Sequence, residues 1–469
     1  MPTGERIGAD VCVIGGGPAG TTIAHRLASL GHDVCLIDRD RFPRPHIGAS
    51  LPPSILPLLD VTGVRDQVEQ AGFLRPARIM VWWSQPAPTM RSHPGPPGFH
   101  VDRGAFDQLL LRNAQANGVR VLEGTHAMQP ERTGDGWRIP VCRDGKPKEI
   151  VARLIVDASG GRGLLSGLRH RVSAPLLALY AHWRGADEGA LEGRVEAGEN
   201  EWFWYAPLGG GKSVAAVLID PKRLSDIAGD GIDRAYHGLL GRFRLFRDAQ
   251  LGRVEGTVKA CDASSRYAED AVGPDFVRVG DANLSLDPLS SQGVQSAIAS
   301  GLQAAVVVNT LARHRANADA AIVFYRDRQQ EKVRQHAAKT AAFYGERAAV
   351  CDTPFWRQRA AFAGESTTPS WQDEPLDGAD RIRLSHRTTI EQTPVVQGDM
   401  IVAAAALRHE GLERPVAFVG EVEIVPLLRR IEPGQTACAA VQTWSERLPA
   451  ELGWKIMHWL WQRRIVVSA

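Results

Sequence analysis

The sequence predicts an α/β protein whose core is a buried parallel sheet. The all-apolar run at residues 11–14 is typical of a strand buried on both faces, and it leads directly into a glycine-rich turn. A helix-like segment at 19–30 ends at Gly31, and a second apolar run at 34–37 follows it. Two later stretches, at 154–156 and 277–279, are predicted strands that also lead into turns with an aspartate.

The turn after the first strand has the spacing of a dinucleotide-binding loop. In the GxGxxG pattern, the first glycine allows a tight turn, the second lets a pyrophosphate approach the backbone, and the third lets helix and strand pack closely. Asp38 ends the second strand 18 residues after the last of these glycines, where a ribose-binding carboxylate is expected. The alternative is a glycine turn without a binding function. The strand, helix, second strand and acidic residue, however, follow one another in the order and spacing of a dinucleotide-binding unit. The predicted dinucleotide contacts are Gly15, Gly17, Pro18, Ala19, Gly20, Asp38 and Arg39.

The composition is that of a globular protein, with 44% hydrophobic and 23% charged residues. The 55 basic and 53 acidic residues nearly cancel, which argues against nucleic acid as a partner. The six cysteines are scattered without a CxxC pair, so we expect reduced thiols and no metal site. No segment approaches the ~20 apolar residues of a membrane helix. We therefore expect a cytoplasmic protein without a membrane segment.

Two motifs in the second half of the fold identify the dinucleotide. Asp281 follows Gly280 at the end of a strand, and DPLSSQGV at 287–294 leads into a helix-like run at 295–311. With these motifs the chain resembles the glutathione-reductase-type flavoprotein monooxygenases. The resemblance implies that the cofactor is FAD, that Asp281 binds its ribityl chain, and that Gly293 and Val294 bring a helix N-terminus to the isoalloxazine ring. A helix N-terminus stabilises the negative charge of a reduced flavin. Asp281 as a simple turn former is the alternative.

Two further stretches indicate a branch of these flavoproteins. FPRPHIGASLP at 42–52 resembles the PRxxxGES-L-P stretch of flavin-dependent halogenases, with Ala49 where glutamate is usual. HVDRGAFD at 100–107 resembles their VxRxxFD segment. The resemblance implies that Ser50 and Arg103 contact the cofactor, although Arg103 could equally be a helix-cap residue.

Four consecutive aromatic residues stand in NEWFWYAPLGGG at 200–211, which resembles the GWxWxIP motif of the halogenases. Residues two apart in a strand share a face, so Trp202 and Trp204 project together, and residues 214–219 form the expected partner strand. We predict that the two indoles wall a dry pocket, since water would destroy an oxygenated flavin. Phe203 and Tyr205 are expected to be sheet core.

Halogenases of this type use a lysine to carry or activate hypohalous acid, in a segment that corresponds to residues 73–84 here. That segment contains no lysine, and the first lysine of the chain is Lys146. Arginine cannot replace it, because a guanidinium does not deprotonate near neutral pH. Gln292 also stands where serine or threonine usually precedes the glycine. The resemblance then implies hydroxylation of an electron-rich aromatic by a flavin C4a-hydroperoxide, with His100, His182 and Gln292 as candidate bases by position.

The predicted architecture is an α/β fold with a glutathione-reductase-type FAD-binding Rossmann domain, an antiparallel-sheet substrate domain and a small C-terminal β/α domain, for which a winged-helix form is one option. The oxygenase core spans 1–365, with FAD-binding parts at about 1–72, 101–171 and 270–365. The substrate-side sheet lies at about 73–100 and 172–269. A polar linker at 367–378 leads to the small domain at 366–469.

In the small domain the pattern predicts strands at 382–384 and 415–419 and helices at 422–431 and 452–464. The last helix contains Trp454, Met457, Trp459 and Trp461. In a winged helix these tryptophans would cap the core, whereas an exposed aromatic patch would suit a protein or peptide partner. The domain has no basic stripe for nucleic acid.

A halogenase-like flavoprotein without the lysine, but with a small extra domain, resembles the flavin monooxygenases that hydroxylate a tryptophan side chain during cysteine tryptophylquinone formation in quinohemoprotein amine dehydrogenase. The resemblance implies a small protein or peptide as substrate, O2 as cosubstrate, and NAD(P)H or a separate flavin reductase as electron source. A halogenase or hydroxylase of a small aromatic, a flavin reductase of the geranylgeranyl type, and a binding module without catalysis stay open.

Overall fold

The computed structural model describes residues 6–92, 95–185, 191–229, 231–247, 249, 252–362 and 374–469. These residues fall into two compact units, one within Met1–Arg313 and Tyr325–Gly364 and the other within His314–Phe324 and Glu365–Ala469. The predicted boundary near 365 and most of the predicted linker lie in 363–373, outside the described residues, so the domain limits stay a prediction.

The first part of the chain alternates strands and helices. Its strands are β1 (Arg6–Ile14), β2 (Val34–Ile37), β3 (Ser50–Leu51), β4 (Arg78–Trp82), β5 (Thr89–Ser92), β6 (Phe99–His100), β7 (Arg120–Leu122), β8 (Thr125–Ala127), β9 (Glu131–Thr133), β10 (Gly136–Arg143), β11 (Lys146–Asp157), β12 (Arg169–Arg171), β13 (Leu177–Arg184), β14 (Gly193–Ala197), β15 (Glu201–Gly209), β16 (Lys212–Ile219), β17 (Arg253–Asp262), β18 (Arg266–Ala268), β19 (Phe276–Arg278) and β20 (Leu284–Ser285). Its helices are α1 (Pro18–Ser29), α2 (Leu56–Val61), α3 (Arg65–Gln70), α4 (Arg103–Ala116), α5 (Pro221–Ile227), α6 (Ile232–Leu240), α7 (Arg244–Arg247), α8 (Gly293–Arg313), α9 (Ala318–Ala348) and α10 (Pro354–Ala360).

The dinucleotide-binding sheet is parallel where the sequence predicts it. Strands β7, β2, β1, β11 and β19 lie side by side and pair in parallel, and β10, β8 and β9 continue the sheet in antiparallel pairs. Val11 to Ile14 and all of β2 are buried, as expected for strands covered on both faces. This arrangement confirms the predicted α/β fold with a Rossmann-type FAD domain.

Helices α1 and α8 pack against each other through a glycine. A Cβ atom at Gly301 would lie 2.8 Å from the carbonyl oxygen of Ala19 and 3.2 Å from the Cβ atom of Thr22. Only a residue without a side chain therefore lets the two helices reach this separation. Because α1 and α8 both begin at predicted cofactor contacts, their packing sets the relative position of those contacts.

A second sheet of seven strands lies in the order β17-β13-β16-β15-β14-β4-β5. It is antiparallel except for the parallel pair of β14 and β4. Phe203 and Tyr205 are fully buried on one face, in a cluster with Tyr236 and Phe243, which confirms the expectation that they are sheet core. The three glycines that close the aromatic run, Gly209–Gly211, all have positive φ and turn β15 into β16.

The second unit contains strands β21 (Arg381–Leu384), β22 (Thr389–Gln397), β23 (Met400–Arg408), β24 (Phe418–Val419), β25 (Val422–Glu423), β26 (Gln435–Thr436) and β27 (Val466–Ser468) and helices α11 (Val425–Leu428), α12 (Ala437–Trp444) and α13 (Ala450–Gln462). The predicted helix at 422–431 is wrong at its start, because its first two residues form a strand. The long hairpin β22–β23 was not predicted, and it precedes the helices in the chain.

The tryptophan-rich helix α13 is mainly core. Met457 and Trp461 are buried, and Trp454 and Trp459 are half-buried and pack against the same apolar cluster. Of the two alternatives for this helix, the structure agrees with tryptophans that cap the core and not with an exposed aromatic patch. The physical reason is its spacing: Met457 and Trp461 are four residues apart and so lie on one helix face, which turns to the core.

Helix α8 is long and apolar enough to cross a membrane, the one helix among the described residues that is. Of its most apolar window, however, 72% is buried inside the fold. That is the pattern of a core helix.

We predict that Gly301→Ala destabilises the protein by about 1–3 kcal/mol, because the new methyl group overpacks the contact between α1 and α8. Gly345→Ala is the matched control: it lies in helix α9, and no atom lies within 4 Å of its added Cβ. There the higher helix propensity of alanine should stabilise by up to about 1 kcal/mol. Thermal unfolding of both variants checks this, and equal shifts for the two would contradict it.

Candidate active site

The turn between β1 and α1 is shaped by close backbone contacts. Gly15 has φ +114°, and a Cβ atom there would lie 2.2 Å from the carbonyl oxygen of Ala158. A Cβ atom at Gly20 would lie 1.8 Å from the carbonyl oxygen of Gly15. Both glycines are therefore needed for the turn itself, in the roles that the sequence predicts for the first and third glycines.

The middle glycine faces open space instead. A Cβ atom at Gly17 would meet only Nη2 of Arg44, at 3.6 Å. Pro18 and Ala19 begin α1, and no described side chain caps the N-terminus of this helix. A helix N-terminus with unpaired N–H groups and an open approach suits a pyrophosphate.

Asp38 ends β2 and is buried. Its Oδ2 accepts from the backbone N–H of Gly16 at 2.6 Å, and its Oδ1 accepts from that of Asp40 at 2.8 Å. The carboxylate thus fixes the glycine turn and the start of the following loop. Its contact to a ribose stays a prediction. Arg39 is exposed, and its Nε lies 3.7 Å from Oδ2 of Asp40. Among the described residues it makes no hydrogen bond or ion pair to the glycine turn.

Arg44 is a site residue that the sequence reasoning missed. Its Nη2 lies 4.0 Å from Oδ2 of Asp38 and 3.9 Å from Oδ2 of Asp107, and its buried Nε lies 4.0 Å from Oδ2 of Asp40 without a hydrogen bond. Nη2 is also the atom nearest to a Cβ atom added at Gly17, where a guanidinium is what a pyrophosphate would pair with. The signal was present, because Arg44 is the arginine of the PRxxxG stretch.

Arg103 is held rigidly at the start of α4. Its Nε and Nη2 donate to the two oxygens of Asp107 at 2.9 and 3.0 Å, and its Nη1 donates to the carbonyl of Ile47 at 2.9 Å. The cap of α4 is Asp102, not Arg103, which removes the helix-cap alternative. Ser50 is half-buried in β3, where it pairs with β6. The cofactor contacts of Arg103 and Ser50 stay predictions.

Asp281 follows Gly280 in the turn after β19. It is exposed to solvent, yet the surrounding protein raises the pKa of its carboxyl by desolvation, against the opposing charges of Arg103 and Arg169. Its backbone carbonyl accepts from Nη2 of Arg169 at 2.7 Å. A carboxylate that is both water-accessible and surrounded by protein fits the position expected for a ribityl contact.

The loop before α8 is tight and carries strain. Ser291 has φ +51°, in the left-handed region that a serine rarely adopts. Gln292 is half-buried, and Gly293, the first residue of α8, is exposed with no atom within 4 Å of an added Cβ. Val294 is buried in the apolar core beneath. The N-terminus of α8 therefore faces open space, as a flavin contact requires.

The two tryptophans of the aromatic run differ in exposure. Trp202 is 1% exposed and packs edge-on against Trp83, with ring centroids 6.1 Å apart. Trp204 is half-buried and packs against the same apolar cluster, on the face opposite to Phe203. The structure therefore makes Trp204 the candidate for a pocket wall and Trp202 its packing support. Their catalytic roles stay predictions.

His100 lies in β6, which pairs with β3, and contacts the seven-stranded sheet. It is 5% exposed, its Nδ1 donates to the carbonyl of Pro207 at 3.0 Å, and burial lowers its pKa to about 4. Its Cε1 and Nε2 face β14 at Gly193. His182 is half-buried with a lowered pKa, caused first by desolvation. Both rings are neutral at pH 7, and a role for either as base stays a prediction.

The described residues fit FAD. The glycine turn, the N-terminus of α1 and Arg44 would hold its pyrophosphate. Asp281 would hold its ribityl chain, and the open N-terminus of α8 would face its ring. Among the described residues no group of three or more histidine, cysteine, aspartate or glutamate side chains could hold a metal ion.

We predict that Arg44→Gln weakens FAD binding by about 10–100-fold, because the cofactor loses a charge-assisted hydrogen bond. Arg41→Gln is the control, since Arg41 is exposed and pairs with Asp144 on the surface. Titration of the apoprotein by flavin fluorescence gives both dissociation constants. An unchanged constant for Arg44→Gln would refute the assignment of Arg44.

We also predict a pH effect at Asp287. Burial raises its pKa from 3.8 to about 6, although Leu289 N–H and the Tyr344 hydroxyl donate to the carboxylate. The folded protein then favours the protonated acid. The contribution of this carboxyl to the stability of the fold is fully present below about pH 4 and is lost as pH rises through about 6.

Asp287→Asn removes this titration. The free energy of unfolding of the variant, relative to that of the unmutated protein, should therefore rise by about 3 kcal/mol from pH 4 to pH 7. Unfolding of both proteins by denaturant between pH 4 and 7.5 measures the difference. A gap that does not change with pH would show that Asp287 keeps an ordinary pKa.

Comparison with known proteins agrees with this site. The family profile described as tryptophan halogenase matches residues 78–370, and the profile described as FAD dependent oxidoreductase matches residues 10–50. A tryptophan 2-halogenase of Chondromyces crocatus is 33% identical over 363 residues, which cover 74% of this chain and 69% of the relative.

Solved structures resemble the fold over nearly its whole length. The flavin-dependent halogenase CmlS superposes with a TM-score of 0.78 and covers 100% of this chain and 96% of its own, but at 22% identity it supports the fold alone. The peptidyl tryptophan dihydroxylase QhpG superposes with a TM-score of 0.77 at 26% identity and covers 97% of this chain and 99% of its own. The chain belongs to the tryptophan halogenase family of FAD-dependent, monooxygenase-type enzymes.

Proposed function

We propose that this enzyme hydroxylates an electron-rich aromatic ring, a tryptophan side chain carried by a protein or peptide, during the maturation of a quinone cofactor. The observation that carries the proposal is a halogenase-family chain without a lysine in residues 73–84. Halide oxidation in this family needs that lysine, whereas oxygen transfer to an activated ring does not.

The structure gives the segment 73–84 an apolar character. Ile79 lies near His100, and Val81 and Trp83 pack into the aromatic cluster that also holds Trp202. Its two arginines are exposed, and Arg75 stacks on the ring of Phe99 with its guanidinium carbon 4.8 Å from the ring centroid. An arginine also stays charged near pH 7 and cannot exchange a proton as a lysine can.

Likeness to a named hydroxylase supports the same reading. The peptidyl tryptophan dihydroxylase QhpG matches this chain from end to end, including the second unit, and its identity of 26% exceeds that of CmlS at 22%. Coverage by itself does not separate hydroxylases from halogenases, because the halogenase CmlS covers 100% of the chain and the halogenase CndH covers 77%.

The residues of the chain have distinct parts in this reaction. When bound, FAD supplies the activation of O2; one oxygen atom enters the ring in place of hydrogen, and the other leaves as water with two electrons and two protons from the reductant. Trp204 excludes water from the ring face, His100 Nδ1–H holds the Pro207 carbonyl and so the end of β15, and the N–H groups that begin α8 stabilise negative charge.

The electrons come from NAD(P)H, directly or through a separate flavin reductase, and O2 is the cosubstrate. The substrate partner is a small protein or peptide, without nucleic acid or membrane. The protein works in the cytoplasm.

Halogenation of tryptophan is the second candidate. It is favoured by the tryptophan 2-halogenase of Chondromyces crocatus at 33% identity and by three flavin-dependent halogenases of Armillaria mellea at 29–30%. The missing lysine argues against it.

We predict that the enzyme, supplied with reduced FAD, O2 and bromide, adds oxygen and no bromine to a tryptophan-containing protein or peptide. Product mass separates the outcomes, since each inserted oxygen adds about 16 mass units and bromine gives a doublet of isotopes. Asp281→Ala, which should lose FAD, is the control for reaction outside the protein. Bromination would refute the hydroxylase, and turnover of free tryptophan with no reaction of any polypeptide would refute the protein substrate.

A further inference from the structure

One face of α9 makes a row of hydrogen bonds to residues 278–296, the segment that contains the start of α8. The hydroxyl of Tyr325 donates to the Arg278 carbonyl at 2.8 Å, and Gln329 accepts from the Asn283 amide at 2.9 Å. One turn further, Nζ of Lys332 lies 3.5 Å from the Ser296 carbonyl. Positions 325, 329 and 332 lie on one side of a helix, so this side of α9 is built to hold residues 278–296.

The two contacts nearest the N-terminus of α8 converge on Asp287. Its backbone N–H donates to Nε2 of His336 at 3.0 Å, and the hydroxyl of Tyr344 donates to both carboxylate oxygens at 3.2 and 3.0 Å. Asp287 in turn accepts from the N–H of Leu289 at 3.0 Å. All three side chains are buried, with exposures of 2% for Asp287, 7% for His336 and 1% for Tyr344.

The loop that Asp287 begins needs such support. It must hold Ser291 at φ +51°, a conformation that costs about 1 kcal/mol or more and persists only where the surroundings enforce it. It must also keep Gln292 and Gly293 in place, so that the first N–H groups of α8 point into the open space described above. A displacement of a fraction of an ångström there would weaken their interaction with a charged ring.

We propose that Tyr344 and His336 are positioning residues: through Asp287 they hold the loop 287–292, so that the N-terminus of α8 is preorganised for the reduced, anionic flavin. Both residues are buried and contact the loop through Asp287. The proposal goes beyond the proposed function, because it concerns cofactor binding and is independent of the aromatic substrate.

The test compares affinities for the two redox states of FAD. Tyr344→Phe should weaken binding of reduced FAD by about tenfold and of oxidised FAD by about threefold, because the helix N-terminus acts mainly on the negative charge. Tyr236→Phe is the matched control: its hydroxyl is also buried, donates to the Ala215 carbonyl at 2.9 Å and accepts from Trp183 at 3.0 Å, away from the loop. Anaerobic titration of each apoprotein gives the constants, and thermal unfolding gives the general loss of stability.

Two substitutions at His336 test the same proposal independently of Tyr344. Gln can accept from the Asp287 N–H as histidine does, whereas Leu cannot. His336→Gln should therefore keep the ratio of the two FAD constants near that of the unmutated protein, and His336→Leu should shift it as Tyr344→Phe does. Variants that lose thermal stability while the ratio stays equal to that of Tyr236→Phe would overturn the proposal. Because no aromatic substrate is used, failure of the proposed function would leave this result unaffected.

Discussion

The site depends on the close approach of bare backbone at three glycines. Gly15 meets Ala158, Gly20 meets the Gly15 carbonyl, and Gly301 meets the Ala19 carbonyl, each at a separation that a Cβ atom would forbid. These contacts join β1, α1, β11 and α8 into one body, and they bring the open N-termini of two helices to the same cofactor. Arg44, Arg103 and Asp107 then add a buried charge cluster beside the first of these helices.

The proposed choice of oxygen transfer over halide oxidation depends on the side chains of the segment 73–84. The segment 73–84 contributes Ile79, Val81 and Trp83 to an apolar environment, where a halogenase needs an amine that can exchange a proton. Oxygen transfer to an activated ring needs less from the protein: a dry wall, a fixed substrate and a positive helix end. Under the proposed function, Trp204 would supply the wall and the N-terminus of α8 the positive helix end.

The sequence predicted the parts of this fold that local pattern controls. The bounds of β2, the glycine turn and the face shared by Trp202 and Trp204 all follow from period, spacing and the stereochemistry of glycine. Arg44 and Tyr344 could not be ranked in the same way, because their roles come from partners 63 or 57 residues away, Asp107 and Asp287. The sequence left the exposure of α13 open for a related reason: spacing shows that its aromatic residues share a face, but only the tertiary fold shows that this face is core.

Incorporation of labelled oxygen tests the central claim most directly. The enzyme would be reduced anaerobically with a tryptophan-containing polypeptide in bromide buffer, exposed to ¹⁸O2, and the polypeptide analysed by mass spectrometry. The account predicts that every new oxygen atom in the tryptophan ring carries the label and that no bromine is present. A product without label, with bromine, or with added hydrogen only would contradict it.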